Sequence, residues 1–213
     1  GASGLVVSPS GREVAFTYRG DVFVNSVEGG GTKRITTTPE TETGIEFGPD
    51  GKSLIYASER DGKWAIYEAK RVRDVEPYFF ASTVVKEAPV VVNDHQNTHP
   101  SYSPDGKELA YLEDRNTLKV LNLATKATRT LLTDKELFGG DHDFEWSPDN
   151  KWIVFDYDVP GIAPGEVGLV KADGKSPVVN LTQSGFNDGR GKRIFGGKAM
   201  MWFSNRDGLK SVA

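Results

Sequence analysis

The sequence has no cysteine and only 3 histidines in 213 residues. The lack of cysteine excludes a disulfide framework and the zinc sites that use thiolate ligands. A Gly-x-Ser-x-Gly nucleophile elbow is also missing, which excludes an α/β-hydrolase active site within this chain. No segment approaches the roughly 18 consecutive apolar residues that a membrane-spanning helix needs. We therefore expect a chain without a membrane span and without these kinds of catalytic or metal site.

The charges are nearly balanced, with 26 basic and 30 acidic side chains, a net charge of -4 and a pI near 5.5. A nucleic-acid-binding surface needs a clustered positive face, so this composition argues against a nucleic-acid partner. The longest basic run is Lys70–Arg73. Because a short run of this kind usually lies in solvent, we interpret it as an exposed edge of a sheet.

A short motif led by proline recurs along the chain. Its copies are Ser8-Pro9-Ser10-Gly11, Gly48-Pro49-Asp50-Gly51, Ser103-Pro104-Asp105-Gly106 and Ser147-Pro148-Asp149-Asn150. The prolines stand 40, 55 and 44 positions apart, and two of these intervals match the roughly 40–45-residue period of a four-stranded propeller blade. The interval of 55 residues predicts one longer insertion, in the second unit.

Each copy of the motif predicts a hairpin between two strands. Proline supplies the φ of about −65° wanted at the second position of a type I turn, and Asp suits the third position. The following Gly adopts the left-handed conformation that closes a three-residue hairpin loop with a bulge. Asn150 takes the place of Gly in the fourth copy, and Asn is the next most tolerant residue there.

The repeat predicts an all-β fold, a β-propeller of four-stranded antiparallel blades. We expect four full blades and part of a fifth, at about 1–43, 44–97, 98–140, 141–185 and 186–213. In the fifth blade Phe195–Lys198 replaces the proline motif, and the chain stops in mid-blade.

An edge left unpaired in mid-blade is unusual, so we expect an incomplete ring whose parent protein continues past Ala213. The start Gly1-Ala2-Ser3 lacks an initiator Met and a signal peptide, so we also expect the natural N-terminus to be missing. The alternative is a small ring in which residues 186–213 pair with the start of the chain.

The second unit departs from the others between its third and fourth strands. This stretch is roughly a dozen residues longer than in an ordinary blade. We expect an excursion at the rim and an outer strand only near Val90–Val92. Phe79 and Phe80 lie in the excursion, and we interpret them as core-filling aromatics rather than as a ligand site.

The histidines offer one candidate catalytic cluster. Asp94, His95 and His99 stand in the loop and strand entrance of the third unit, where they could face a central channel. Nucleophilic catalysis needs a Ser or Cys beside a base that a third group orients. We interpret these residues as a polar loop cluster, and the sequence predicts no catalytic residue and no cofactor site.

The densest acidic cluster is Asp141-His142-Asp143-Phe144-Glu145. On a strand Asp141, Asp143 and Glu145 would share one face, with His142 on the other. Three carboxylates on one face could hold a hard cation such as calcium, but acids that line a wet channel are the favoured interpretation, and we predict no metal. Gly29–Gly31 is interpreted as a flexible turn, because no Walker Lys-Ser/Thr and no helix follows it.

The Ser-Pro-Asp-Gly-Lys turns resemble the WD40-like repeats of TolB and of tricorn-type proteases. Further segments are similar to the propeller of tricorn-like S41 peptidases: Gly20-Asp21-Val22-Phe23-Val24, Arg71-Val72-Arg73-Asp74-Val75-Glu76-Pro77-Tyr78-Phe79-Phe80 and Met201-Trp202-Phe203-Ser204-Asn205-Arg206-Asp207-Gly208-Leu209. This resemblance covers nearly the whole chain. It departs at the fifth blade, where the turn motif is lost.

The resemblance implies a non-catalytic propeller segment of a large serine peptidase. In that family the catalytic Ser and His lie in later domains, so no catalytic residue carries over to this chain. The implied partners are a peptide or unfolded polypeptide substrate and the remaining domains of the parent chain, and the implied location is the periplasm or cell envelope. Two alternatives stay open: a TolB-like protein-binding propeller without a protease, and the propeller of an S9-type peptidase.

Overall fold

The computed structural model describes residues 2–140, 142–159, 162–194, 198–206 and 211–212. Within these ranges it contains nineteen strands and one short 3-10 turn, Phe79–Ala81. The strands are β1 (Ala2–Val7), β2 (Glu13–Tyr18), β3 (Asp21–Ser26), β4 (Thr32–Arg34), β5 (Thr41–Phe47), β6 (Ser53–Arg60), β7 (Lys63–Arg71), β8 (Val85–Val91), β9 (Asn97–Tyr102), β10 (Glu108–Glu113), β11 (Thr117–Asn122), β12 (Thr128–Leu132), β13 (Phe144–Trp146), β14 (Trp152–Val159), β15 (Ile162–Lys171), β16 (Val179–Asn180), β17 (Asp188–Ile194), β18 (Ala199–Ser204) and β19 (Ser211–Val212).

The strands form five sheets whose strand order follows the chain: β1 to β4, β5 to β8, β9 to β12, β13 to β16, and β17 to β19. Strands that are neighbours in a sheet are antiparallel wherever the register is described. This is the fold of β-propeller blades, which confirms the predicted all-β class with four-stranded units. Among the described residues the fifth sheet contains no strand from the start of the chain, which agrees with the expected incomplete ring.

The chain divides into two compact units, residues 1–102 and 103–213. The core of the first unit lies between the first two sheets and includes Leu54, Tyr56 and Phe79. The core of the second unit includes Leu112 and Phe155, from the third and fourth sheets. No helix in the described ranges has the length and apolar character that crossing a membrane would require.

The proline-led turns have the predicted left-handed residue at their fourth position. The φ angle is 72° at Gly11, 69° at Gly51, 70° at Gly106 and 61° at Asn150. In each turn this residue's N–H donates to the carbonyl three positions earlier, at 2.8 to 3.0 Å. The backbone conformation that the sequence predicted is therefore confirmed in all four copies.

The loop length was wrong by one residue. The Ser8 N–H donates to the Glu13 carbonyl at 2.9 Å, so four residues lie inside the loop instead of three. The Ser8 carbonyl is already taken by Gly11, and the Glu13 N–H therefore donates to the Ser8 hydroxyl at 3.0 Å. The serine side chain thus closes the wider loop, a role that the sequence interpretation had not assigned.

The second turn has its serine on the opposite strand. It begins with Gly48, which has no hydroxyl, and the facing residue is Ser53. A Cβ on Gly48 would lie 2.2 Å from the Ser53 hydroxyl. The Ser53 hydroxyl therefore occupies the space beside residue 48, and glycine is needed there to make room for it.

The insertion of the second blade is confirmed, but its outer strand begins earlier than expected, at Val85 rather than near Val90. The segment between β7 and β8 contains the 3-10 turn Phe79–Ala81. Phe79 is fully buried in the core of the first unit, with its ring centroid 6.1 Å from that of Phe47. The interpretation of Phe79 as a core-filling aromatic is consistent with this packing.

Candidate functional site

Asp94, His95 and His99 are all exposed to solvent. Asp94 accepts a hydrogen bond from Lys63 Nζ at 2.8 Å, and this contact lowers the pKa of Asp94. His99 is exposed, and its Nδ1 lies 3.0 Å from the neighbouring Thr98 hydroxyl. The interpretation of these residues as a polar loop cluster agrees with this exposure and stays a prediction.

The acidic cluster is only partly described, because Asp141 lies outside the described residues. His142 is buried, with Nε2 2.9 Å from the Phe138 carbonyl, whereas the neighbouring Asp143 is exposed. Within the described part of the chain, no group of three His, Asp or Glu side chains is arranged to hold a metal ion. That Asp141, Asp143 and Glu145 hold no cation therefore stays a prediction.

Gly29–Gly31 belongs to the hairpin between β3 and β4. Gly29 and Gly30 have φ angles of 85° and 94°, and the Ser26 N–H donates to the Gly31 carbonyl at 3.0 Å. The three glycines link two strands, and the interpretation as a turn agrees with this geometry.

The basic run is not solvated throughout. Arg71 is half-buried, its guanidinium carbon lies 5.8 Å from the centre of the Phe79 ring, and its Nη1 donates to the Glu76 carbonyl at 2.5 Å. The expectation of a simple exposed sheet edge was therefore wrong at Arg71, because this side chain packs on the insertion.

A left-handed residue also recurs in the inner strands, five positions before the motif proline. Gly4, Gly44 and His99 have φ angles of 63°, 64° and 53°. Arg190 in β17 has φ 54°. The strand register shifts at this place in β1, β5 and β17, as expected of a β-bulge.

Two of these left-handed residues, His99 and Arg190, are not glycine. A left-handed residue with a Cβ costs about 1 kcal/mol relative to glycine, so the backbone of His99 and of Arg190 is locally strained. Strain of this kind concentrates at functional sites. The bulge therefore marks a candidate site, and Arg190 is the residue that lies beside a cleft.

The cleft is formed by the fourth and fifth sheets within the second unit. It has a volume of about 280 Å3 and is lined by Asp156, Asn187, Arg190, Phe203 and Asn205, among others. The exposed Phe203 adds an apolar wall, and the Asn187 N–H donates to Asn205 Oδ1 at 2.7 Å. The lining thus combines amide groups, a guanidinium and an aromatic ring.

The bulge is held by Asp156 of β14. The Arg190 N–H donates to Asp156 Oδ1 at 2.6 Å. A Cβ on the next residue, Gly191, would lie 2.5 Å from Val167 Cγ1. Glycine is therefore required where β17 approaches the fourth sheet, and the Arg190 side chain is left exposed beside this contact.

The electrostatics of the cleft are mixed. Burial raises the pKa of Asp156, the backbone N–H groups of Arg190 and Gly191 oppose this, and the negative charge of Asp143 adds to it. Burial also raises the pKa of Glu145, and the ammonium group of Lys192 opposes that shift. The inner strands β13 and β17 thus bring the Glu145 carboxyl group and the Lys192 ammonium group near each other.

This arrangement can bind a polar chain but offers no nucleophile–base pair among the residues described. Guanidinium and amide groups donate to carbonyl and carboxylate oxygens, and the half-buried carboxylate accepts from N–H groups. Sequence reasoning missed Arg190. In the earlier units the equivalent position lies five residues before the motif proline, where Gly4 and Gly44 stand, but the fifth unit has no such proline to mark it.

Comparison of the sequence with protein families matches residues 5–178 to the TolB beta propeller domain, PD40. The chain belongs to this TolB propeller family. The match covers the first four sheets up to the start of β16, and it agrees with the strand order described above. No curated protein sequence matches the chain.

Solved structures share the fold at low sequence identity. A putative TolB from Agrobacterium tumefaciens has a TM-score of 0.71 and 20% identity over 95% of this chain and 69% of its own. The tricorn protease has a TM-score of 0.73 and 14% identity over 100% of this chain and 20% of its own. An oligogalacturonate lyase in complex with manganese has a TM-score of 0.70 and 14% identity over 97% of this chain and 60% of its own.

These structures bear names of different activities, so the likeness shows the fold alone. The chain spans about a fifth of the tricorn protease and less than two thirds of the lyase. The comparisons therefore assign the chain to the TolB propeller family and show its fold.

Proposed function

We propose that this chain is a non-catalytic propeller segment that binds polypeptide and positions it for other domains of its parent protein. The observation that carries this proposal is Arg190, an exposed arginine at a strained bulge beside a cleft lined by amide groups and Phe203. An extended peptide presents carbonyl oxygens, N–H groups and side chains, which these groups can match.

The parent that we favour is a tricorn-like S41 serine peptidase, in which the propeller admits or aligns substrate. The turn motifs and the segment from Arg71 to Phe80 support this choice, and so does the likeness to the tricorn protease. The second candidate is a TolB-like protein-binding propeller without a protease. It is favoured by the family match and by the likeness to a putative TolB.

The binding test uses a substitution that spares the backbone. Arg190→Gly removes the guanidinium and fits the left-handed conformation, so the fold is expected to persist. Short fluorescein-labelled peptides from a casein digest are titrated with the purified chain and followed by anisotropy. We expect wild type to bind and Arg190→Gly to bind about tenfold more weakly.

Lys126→Gly is the matched control. Lys126 is also exposed, basic and left-handed, with φ 62°, but it lies in the hairpin between β11 and β12. Equal binding by wild type and the two glycine variants would refute a role for Arg190 in peptide binding. Absence of peptide binding by wild type would refute the proposed function.

Two further measurements address the parent protein. The purified chain is expected to leave casein intact, and cleavage that survives purification would refute the non-catalytic assignment. In the intact gene, a PDZ-like segment and an S41 catalytic region after residue 213 would support the tricorn-like parent. A Gly-x-Ser-x-Gly elbow would support an S9-type peptidase, and an early stop would support the binding module.

The periplasmic or envelope location belongs to the same proposal, because it rests on the family resemblance. Cell fractionation with an antibody against this chain tests it. We expect the parent protein in the periplasmic or envelope fraction, and its recovery in the cytoplasmic fraction alone would contradict this part of the proposal.

A further inference from the structure

A second cavity lies between the third and fourth sheets, inside the second unit. It has a volume of about 530 Å3, and its lining includes Glu108, Arg129, Trp152 and Lys171. We call it the open gap. It uses none of the residues of the Arg190 cleft.

The first and second sheets enclose an equivalent space, within the first unit. Glu108 corresponds to Glu13, because each donates its backbone N–H to the serine hydroxyl of its turn. Trp152 corresponds to Ser53, since these residues begin the second strands and pair with Lys171 and Lys70. We call this second space the closed gap.

The closed gap is filled by the chain itself. The insertion places its 3-10 turn against β3 and β4, and the Phe80 N–H donates to Glu13 Oε1 at 3.2 Å. A Cβ on Gly31 would lie 3.1 Å from the Phe80 ring, and the Tyr78 ring stacks on Phe80 at 5.2 Å between centroids. An aromatic turn is therefore the group that fits between two sheets of this repeat.

The open gap is held apart without such a filler. Arg129 binds Glu108 through two hydrogen bonds of 2.6 and 2.7 Å, and its Nε donates to the Ala172 carbonyl at 2.6 Å. The Arg129 guanidinium thus donates to Glu108 in the open gap, whereas the Phe80 N–H donates to the equivalent Glu13 in the closed gap. These hydrogen bonds hold the walls of the gap in place before a ligand binds, which lowers the conformational entropy lost on binding.

Trp152 is not required by the repeat. The residues at the same position in the first three sheets are Glu13, Ser53 and Glu108, and each allows the turn and strand to form. Trp152 is only partly buried, and Lys171 Nζ lies 5.3 Å from the centre of its ring. Its indole N–H donates to no protein atom among the residues described, so both the ring and the N–H are available to a ligand.

We propose that the open gap docks an aromatic turn of a partner polypeptide, with acidic residues beside the aromatic side chains. The filler of the closed gap supplies the model for the occupant, since its aromatic residues follow the acids Asp74 and Glu76. The exposed Lys151 and Lys171 at the open gap match such acids in charge and outnumber the one exposed acid of the lining, Asp173. Trp152 packs against the incoming ring, as tryptophan does at the centre of many interfaces.

The test uses a capped synthetic peptide with the sequence of residues 74–82 as the probe. Isothermal titration with the whole chain is expected to show saturable binding. Trp152→Ala is expected to weaken binding roughly tenfold or more, as loss of a central aromatic does. The control Trp64→Ala removes a tryptophan of the second sheet and is expected to leave the affinity unchanged.

Two further protein variants and one altered peptide complete the test. If Trp152→Ala fails to fold, Lys171→Glu tests the same site from the surface and is expected to weaken binding severalfold. A peptide with alanine in place of Tyr78, Phe79 and Phe80 is expected not to bind. Arg190→Gly is expected to bind the probe normally, which separates this proposal from the proposed function.

The proposal is overturned if wild type does not bind the probe, or if folded Trp152→Ala and Lys171→Glu bind it as wild type does. It is also overturned if the alanine peptide binds equally well, because acids alone would then account for the attraction.

Discussion

The closed gap and the open gap are built on the same framework but are completed differently. In the closed gap, the extra residues of the second blade carry Phe79 and Phe80 into the space between two sheets. In the open gap, a single guanidinium, Arg129, bridges the two sheets and a cavity remains. The long interval of 55 residues in the repeat therefore reflects an insertion whose aromatic side chains form part of the hydrophobic core of the first unit.

The comparison also shows two ways to hold a carboxylate at the start of a second strand. Burial raises the pKa of Glu13, and the N–H groups of Phe80 and Phe79 and the charge of Arg71 oppose this. Glu108 instead has a bidentate partner in Arg129. Backbone donors tie the insertion to its sheet, whereas an arginine pair leaves room for another molecule.

The largest expected effect is in the closed gap. Phe79→Ala removes a fully buried ring and should lower the free energy of unfolding by about 3–5 kcal/mol. Urea unfolding followed by circular dichroism measures it. Phe138→Ala, at a 56% exposed phenylalanine, is the control and should change stability by less than about 0.5 kcal/mol. A loss for Phe79→Ala as small as the one expected of the control would mean that the insertion does not stabilise the first unit.

The next effect is in the open gap. Arg129→Gln breaks the bidentate pair and leaves Glu108 without its charged partner, at a cost of about 1–2 kcal/mol. Adding Glu108→Gln should restore part of this loss, because the unpaired charge is then removed. A double-mutant cycle from urea unfolding measures the coupling. Additive losses would show that the pair does not hold the gap.

The repeated turns could be predicted because their chemistry is local. Proline, aspartate and glycine restrict the backbone of adjacent residues, and the left-handed residues at Gly11, Gly51 and Gly106 follow from that. The serine hydroxyl was missed, although Ser begins three of the four motifs and the fourth pairs Gly48 with Ser53. Its role depends on the facing strand, which a local interpretation does not include.

The outer strand and the gaps were harder to predict, for physical reasons. The outer strand β8 contains Lys86, Glu87 and Pro89, which an edge strand tolerates because one of its sides is unpaired. These residues conceal the strand in the sequence. The contrast between Phe80 and Trp152 arises from packing between sheets that are distant in sequence, so only the structure showed it.

A smaller, pH-dependent effect should distinguish the two glutamates. Because the pKa of Glu13 is raised above its ordinary 4.5, the folded state holds this proton more tightly than the unfolded state. Stability from Glu13 is therefore present below pH 4.5 and is lost as the pH rises through the folded value. Glu13→Gln should flatten this decline in urea unfolding between pH 4.5 and neutrality. An unchanged slope in that window would contradict the burial cost assigned to Glu13.

The smallest expected effect concerns the cation that lies over Trp152. Lys171→Met keeps the aliphatic stem and removes the ammonium group, which should cost only about 0.5 kcal/mol at this exposed position. Lys151→Met, at an exposed lysine of the same cavity for which no ring contact is described, should cost still less. Urea midpoints compare the two variants. A loss above about 2 kcal/mol for Lys171→Met would show that Trp152 and Lys171 form a structural pair, as Phe79 and Arg71 do in the closed gap.

A small loss in stability together with a large loss of peptide affinity in Lys171→Met would instead separate binding from folding. The open gap would then be a surface that the fold does not need.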